Sequence, residues 1–372
     1  MGICSSSRSH ALRSKTTAAV GETEIPAPDS PRRASSETDP SLSLSLATTT
    51  TTSATTAPHG QSSGALLLDP SPSKPEPSLR TLNQAYTDQC FRISATLPPD
   101  GHTLRYEAEP VECRELRKLA LPGQVLLRAT RMAEAGGEEG EAGSGKQLER
   151  LAARRLALLQ YLRHPNILTL YDAWKSSDLV LWELTDTHPG VTLQAFVEQG
   201  SPLDEAQARG MAQQLLQAVD YLHANGVAVR TLTYSSVVAL AATQGSSSSA
   251  CALKIVDLSF CKSFSLGKLS TACGSPYFVA PEVLKADSYG PSVDIWSLGV
   301  ILYFILAGSL PFVGDSVPAL FKKITRAQFD FASQPWSSRS AACRDLISRM
   351  IVLDADLRWN ASMCLTHQWF VG

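Results

Sequence analysis

Between Ala224 and Val256 the chain carries no aspartate, glutamate or histidine. That stretch therefore offers no general base, whatever its conformation. Covalent chemistry is better marked at the start of the chain. Met1-Gly2-Ile3-Cys4-Ser5-Ser6 fits N-myristoylation of Gly2, with Ser6 where the pattern wants it and Cys4 available for palmitate. One myristoyl chain binds a membrane only marginally, so a second acyl group on Cys4, with Arg8, Arg13 and Lys15 near anionic lipid, would have to add to it. The competing reading is a chance Met-Gly start on a Ser-rich segment. Arg32-Arg33-Ala34-Ser35 marks Ser35 as a basophilic-kinase target, and Ser30-Pro31 and Ser71-Pro72 as proline-directed ones; such short sites also recur by chance in Ser-rich sequence.

Composition narrows the classes. A net charge of −2 over 372 residues gives no argument for nucleic acid. The eight cysteines are scattered, with no Cys-x-x-Cys, which speaks against zinc and against a secreted disulfide framework. No apolar leader region occurs at the start. From about Ser5 to Leu79 the residues are mostly Ser, Thr, Pro and Ala, including Ala47-Thr48-Thr49-Thr50-Thr51-Thr52-Ser53. Such a segment cannot bury enough apolar surface to offset its ordering entropy, and it reads as a disordered tether.

The elements that would position a site follow. From Asp294 to Asp315 no charge intervenes, so a membrane span has to be considered. Gly299, Gly308 and Pro311 interrupt the run and no basic cluster flanks it, so a helix buried on all sides is the better reading. Leu203 to Gly226 is helical by its spacing of Ala208, Met211, Leu215, Leu216, Val219 and Leu222. Lys146 to Arg163 is helical in pattern, Phe91 to Leu97 alternates like a strand, and a Gly/Glu-rich linker lies between 134 and 145.

Ala280-Pro281-Glu282, followed by Asp294-Ile295-Trp296-Ser297-Leu298-Gly299 and a closing Leu365-Thr366-His367-Gln368-Trp369-Phe370, is similar to protein kinases, and within them to the calmodulin-dependent-kinase-like group. The resemblance runs from about Phe91 to Phe370. It implies an α+β, two-lobed protein-kinase-like fold, with a small β-rich N-lobe (about 89–184) and a large helical C-lobe (about 185–372), behind a disordered tail (1–88). It also implies a buried bridge between Glu282 and Arg358, an Asp294 that holds the catalytic loop from beneath, and an Arg230 that pairs with a phosphate on Thr271.

Where the resemblance calls for chemistry, the residues differ. The base position is Thr231, the lysine position Thr233 and the metal-ligating asparagine position Ser236. Loss of a positioned base alone lowers a rate by about 10²–10⁴. A glycine-rich phosphate loop is replaced by Leu97-Pro98-Pro99-Asp100-Gly101, which removes two backbone donors and adds a charge of the wrong sign; Gly101 reads as a turn residue. The strand that should carry the phosphate-pairing lysine has Arg128, Ala129 or Arg131 at that position, depending on register. The glutamate partner of that lysine would fall at Arg155, or at Glu149 on a shifted register, and Arg155 reads as part of a basic solvated helix face. Trp182, before Glu183, stands at the gatekeeper position and either enters the adenine pocket or packs in the core. Asp257-Leu258-Ser259 stands for Asp-Phe-Gly, and Asp257 is either a residual cation ligand or a hydrogen-bonding loop residue. The segment 241–250 reads as a surface insert.

The resemblance then implies a pseudokinase, a membrane-tethered scaffold or allosteric partner of other signalling proteins, an active kinase or its substrate among them. No cofactor is expected beyond residual weak binding of ATP and Mg²⁺ at Asp257. The scattered cysteines and the acylation signal at Gly2 and Cys4 lead to an expected location that is cytoplasmic, peripheral on the cytoplasmic face of a membrane. The alternative is an active Ser/Thr kinase with displaced catalytic residues and ATP bound. No calmodulin-binding segment follows the last expected helix, so calcium regulation is not expected.

Overall fold

The computed structural model describes residues 80–371, apart from 83, 101–102, 112–115, 117–118, 120, 132–151, 177–179, 201–202, 241–250, 266, 272, 286 and 333. Gly2, Cys4, Ser35, Gly101, Glu149, the 134–145 linker and the 241–250 insert lie outside the described residues. The architecture has two lobes, a β-rich small lobe and a helical large lobe.

The small lobe is a six-stranded sheet in the order β1-β5-β6-β4-β3-β2. Its strands are β1 (Arg80–Leu82), β2 (Phe91–Asp100), β3 (Thr103–Pro110), β4 (Val125–Arg131), β5 (Leu170–Ser176) and β6 (Val180–Asp186). All neighbours are antiparallel except β1, which adds to β5 in parallel. Strand β1 and the start of the helix that follows it thus precede residue 89. The reason is apolar side chains: Leu82, and Tyr86 and Cys90 from helix α1 (Gln84–Cys90), pack on the same cluster as Phe91, Trp174 and Trp182. β2 also outlasts its expected end, running through Pro98 and Pro99 to Asp100 with a register shift between Leu97 and Asp100.

Strand alternation gives the sheet two distinct faces. Val125, Leu127 and Ala129 of β4, with Trp182 and Leu184 of β6, point into the cluster under α1. Arg128 and Glu183, paired across the two strands, belong to the other face. Helix α2, over 152–159, contributes Leu156 and Leu159 to the core that continues into the large lobe, as does Leu181 of β6.

The large lobe is built around α4 (Glu205–Ala224) and α6 (Ser292–Ala307). Asp204 caps α4 through a reciprocal capping box with Gln207. Every residue of α6 from Val293 to Leu306 is buried, so its uniform apolarity reflects neighbours on all sides. Among the described residues no helix is long and apolar enough to cross a membrane. Gly299 is there for closeness: a Cβ would lie 2.7 Å from Ile351 Cγ1 and 3.0 Å from Met350 Cβ, the end of helix α8 (Ala341–Met350) and the residue after it.

Candidate functional site

Two small sheets frame the loop at which a kinase does its chemistry. Strand β8 (Val227–Ala228) leads in and β9 (Val237–Leu240) leads out. Between them, Asp294 reaches up from the first turn of α6, fully buried. Its Oδ1 accepts the Arg230 amide at 2.7 Å, and its Oδ2 accepts the Val229 amide at 2.9 Å and meets His223 Nε2 at 2.8 Å. Those bonds hold Arg230 at φ 73°, a conformation that costs a non-glycine residue about 1 kcal/mol or more.

The scaffold thus presents the next residues with care, but they bring hydroxyls. Thr231 is buried and its Oγ1 has no hydrogen-bond partner. Thr233 and Ser236 close on each other: the Thr233 amide donates to Ser236 Oγ at 2.9 Å, the Ser236 amide to Thr233 Oγ1 at 3.0 Å, and the Ser236 hydroxyl to the Thr233 carbonyl at 2.9 Å. Asp257, just beyond β10 (Leu253–Ile255), accepts the Ser259 amide through Oδ1 at 2.9 Å, an Asx turn, while Leu258 is buried in the core. Magnesium favours an octahedron of oxygens, built from several waters, substrate phosphates and one or two carboxylates. Here the donor set is one carboxylate already taking an amide and one hydroxyl already engaged twice. Among the described residues no group of three or more His, Cys, Asp or Glu could hold a metal ion.

The small-lobe side of the cleft carries a different arrangement from the one a solvated Arg155 would give. Arg155 Nη2 lies 2.5 Å from Glu183 Oε1, and its side chain is only 14% exposed. Arg128 Nη1 lies 3.9 Å from Glu183 Oε2. Sheet register explains the second contact, because Arg128 and Glu183 face each other on β4 and β6, and Arg105 of β3 faces Arg128. Of the residues that could stand at the lysine position, Ala129 points into the α1 cluster and Arg128 lies on the opposite face, against Glu183. Trp182 likewise turns away, stacking on Trp174 at 6.3 Å and on Tyr106 at 6.1 Å. It is a core residue and does not enter the pocket. Nearby, burial lowers the His188 imidazole below its ordinary value; Asp186 opposes this, while Arg128 and Arg105 push it further down.

At the end of β6, Asp186 takes the Lys254 ammonium and, through Oδ1, the Thr169 amide at 3.0 Å, tying strand to large lobe. On the activation segment, Arg230 donates to carbonyls. Its Nη2 reaches the Thr271 carbonyl at 2.7 Å, Nη1 the Phe260 carbonyl at 3.2 Å, and Nε the Tyr289 hydroxyl at 2.8 Å; that hydroxyl donates in turn to the Thr271 carbonyl at 2.6 Å. The Thr271 side chain itself is exposed. Farther down, Glu282 and Arg358 meet in two bonds of 2.7 and 3.1 Å, and Arg358 also donates to the Ser292 and Val352 carbonyls. Cys261, between Asp257 and the segment, is buried and its thiol is pushed up to about 12, so it is no nucleophile.

Sequence reasoning missed the Glu183 cluster and Tyr289. The signal for the first was present, since Glu183 is an acid set between Leu181, Trp182 and Leu184 in the middle of a strand and needs a buried cation. Tyr289 carried no such mark.

The protein kinase domain model matches residues 139–370, well over half of the chain. A probable myosin light chain kinase of Dictyostelium discoideum is 34% identical over 217 residues, 58% of this chain and 54% of that protein. Calcium/calmodulin-dependent protein kinase type 1 of Macrobrachium nipponense is 33% identical over 217 residues, 58% of this chain and 61% of that protein. The type 1B enzyme of Rattus norvegicus is 34% identical over 224 residues, 60% and 64% respectively. The chain thus spans more than half, but less than two thirds, of the length of these relatives. With the two lobes, the buried Asp294 and the Glu282–Arg358 pair, the match is to one family: this chain belongs to the protein kinases.

Proposed function

We propose that this protein is a catalytically impaired member of that family, a pseudokinase whose folded lobes serve as a scaffold or allosteric partner for other signalling proteins. The observation that carries this reading is the loop from Thr231 to Ser236. A hydroxyl stands where a base is needed, and Thr233 and Ser236 use their own polar atoms to close the turn. Phosphoryl transfer depends almost wholly on positioning and charge stabilisation, and this loop supplies neither a carboxylate nor a cation. The residues present do not fit a magnesium nucleotide, so no step is assigned to one.

The test is phosphotransfer from labelled ATP by the full chain, with Mg²⁺ or Mn²⁺, beside an Asp257→Asn control. The expected result is no incorporation above that control. Incorporation that Asp257→Asn abolishes would overturn the reading in favour of an active Ser/Thr kinase of unorthodox site.

The tether is part of the same proposal. Acylation at Gly2 and Cys4 would place the domain on the cytoplasmic face of a membrane, where a scaffold raises the effective concentration of its partners. Gly2→Ala is expected to move the protein from the membrane to the soluble fraction and to abolish labelling by a myristate analogue. Equal distribution of both forms would remove the tether from the proposal.

A further inference from the structure

In kinases the cleft lysine divides its attention between nucleotide phosphates and a glutamate on the helix, so that ligand and helix position are linked. Here the polarity across that contact is reversed. The helix α2 carries the cation, Arg155, and the sheet carries the anion, Glu183. Arg128, on the strand where the lysine would be, lies against the same carboxylate. The Glu183 side chain is 5% exposed, and those of Arg128 and Arg155 are 13% and 14% exposed, so bulk solvent does little to screen the group. Two guanidinium groups converging on one site from different elements are suited to bind the oxygens of a phosphate-type anion. A glutamate of this chain already stands between them.

We infer that Glu183 is a built-in counter-ion that occupies the cleft arginines in place of a phosphate-bearing ligand, and so keeps α2 docked on the sheet without any ligand. The inference does not depend on whether the protein transfers phosphate, because it concerns what neutralises Arg128 and Arg155. It has a consequence that a merely structural ion pair would not have. Glu183→Gln keeps the shape of the side chain but frees two neighbouring guanidinium groups, and the cleft should then acquire an affinity for a small polyanion.

The experiment is titration calorimetry of the full chain with inorganic pyrophosphate in the absence of divalent metal. Glu183→Gln is expected to bind about tenfold or more tightly than wild type, and Arg128→Ala introduced into Glu183→Gln to abolish the gain. Equal affinity of wild type and Glu183→Gln would overturn the inference, as would a gain that survives loss of Arg128. Should Glu183→Gln fail to fold, Arg155→Ala gives an independent reading, because it leaves Glu183 with Arg128. Amide exchange over 152–159 is then expected to rise about tenfold, with exchange in α4 and α6 unchanged. Unchanged exchange over 152–159 would show that packing alone docks the helix, and the inference would fall.

Discussion

Asp294 and Arg230 are bound at 2.7 Å through a carboxylate oxygen and a backbone amide, and the residue so held has a left-handed φ of 73°. The carboxylate therefore offsets local strain as well as filling a buried site. Asp294→Asn keeps one acceptor but replaces the other with an amino group facing a donor. We expect a loss of about 2–4 kcal/mol, seen as a fall of about 10 °C in the melting temperature. A shift within 2 °C would mean that the loop keeps its form without the charge.

The Glu282–Arg358 pair is buried and two-pronged, and the guanidinium also serves two backbone carbonyls. Arg358→Ala leaves a buried carboxylate alone, at about 3–5 kcal/mol. Arg358→Lys retains the charge but cannot supply the fork, so it should recover only part of that loss. Denaturant unfolding of both variants would check the order; full recovery by lysine would show that charge alone matters.

Trp182 faces the α1 cluster, stacked between Tyr106 and Trp174. Trp182→Ala should cost about 3–5 kcal/mol through the void it leaves. It should not create binding of ATP, because it opens the far side of the sheet. Calorimetry with ATP on this variant decides the point, and a gain in affinity would place the indole in the cleft after all.

Arg230 grips the carbonyl of Thr271, not its side chain. Thr271→Ala should thus leave the protease sensitivity of the unmodified segment unchanged, within about 0.5 kcal/mol of local stability. Tyr289→Phe removes the hydroxyl that links Arg230 to that carbonyl, and should loosen the segment by about 1 kcal/mol. The proposal that phosphate on Thr271 orders the segment requires an upstream kinase to protect wild type and not Thr271→Ala. Identical digestion of treated and untreated wild type would end it.

Acid sensitivity should arise partly at Glu205. Burial raises its carboxyl, but the Ser340 amide and hydroxyl and the Trp369 indole N–H donate to it and outweigh burial, holding it below the ordinary 4.5. A depressed folded value means that the unfolded chain binds the proton first on acidification. The stabilisation is present above about 4.5 and is lost as the pH falls through the lower folded value. Melting temperatures from pH 6 down to about 3 should fall less steeply for Glu205→Gln than for wild type. Parallel curves would remove Glu205 from the account.

The two-lobed architecture is legible in the sequence because its main elements carry one-dimensional signals. Apolar residues of α4 recur at helical spacing, and α6 is apolar all round, which only burial on every side explains. The starting edge of the fold is less legible: Leu82 and Tyr86 are two apolar residues in a short stretch, and only their packing shows that they belong to the sheet. The cleft is least legible. Arg155 and Glu183 are 28 residues apart and meet because of which face of β6 turns inward, a matter of register that a one-residue slip reverses. The same ambiguity governs Trp182 and the choice between Arg128 and Ala129.

The closed turn between Thr233 and Ser236 bears on the history of the chain. Three hydrogen bonds there are made by two hydroxyl-bearing residues for each other's benefit. An asparagine at 236 would delete the hydroxyl that joins the Thr233 amide to the Thr233 carbonyl, and a lysine at 233 would delete one of the two acceptors of the Ser236 amide, leaving the Thr233 carbonyl at 3.2 Å. Each such single change would first weaken the turn in which it is made. Under the proposed loss of phosphotransfer, reversal would run through less stable intermediates, and selection for a folded domain alone would oppose it.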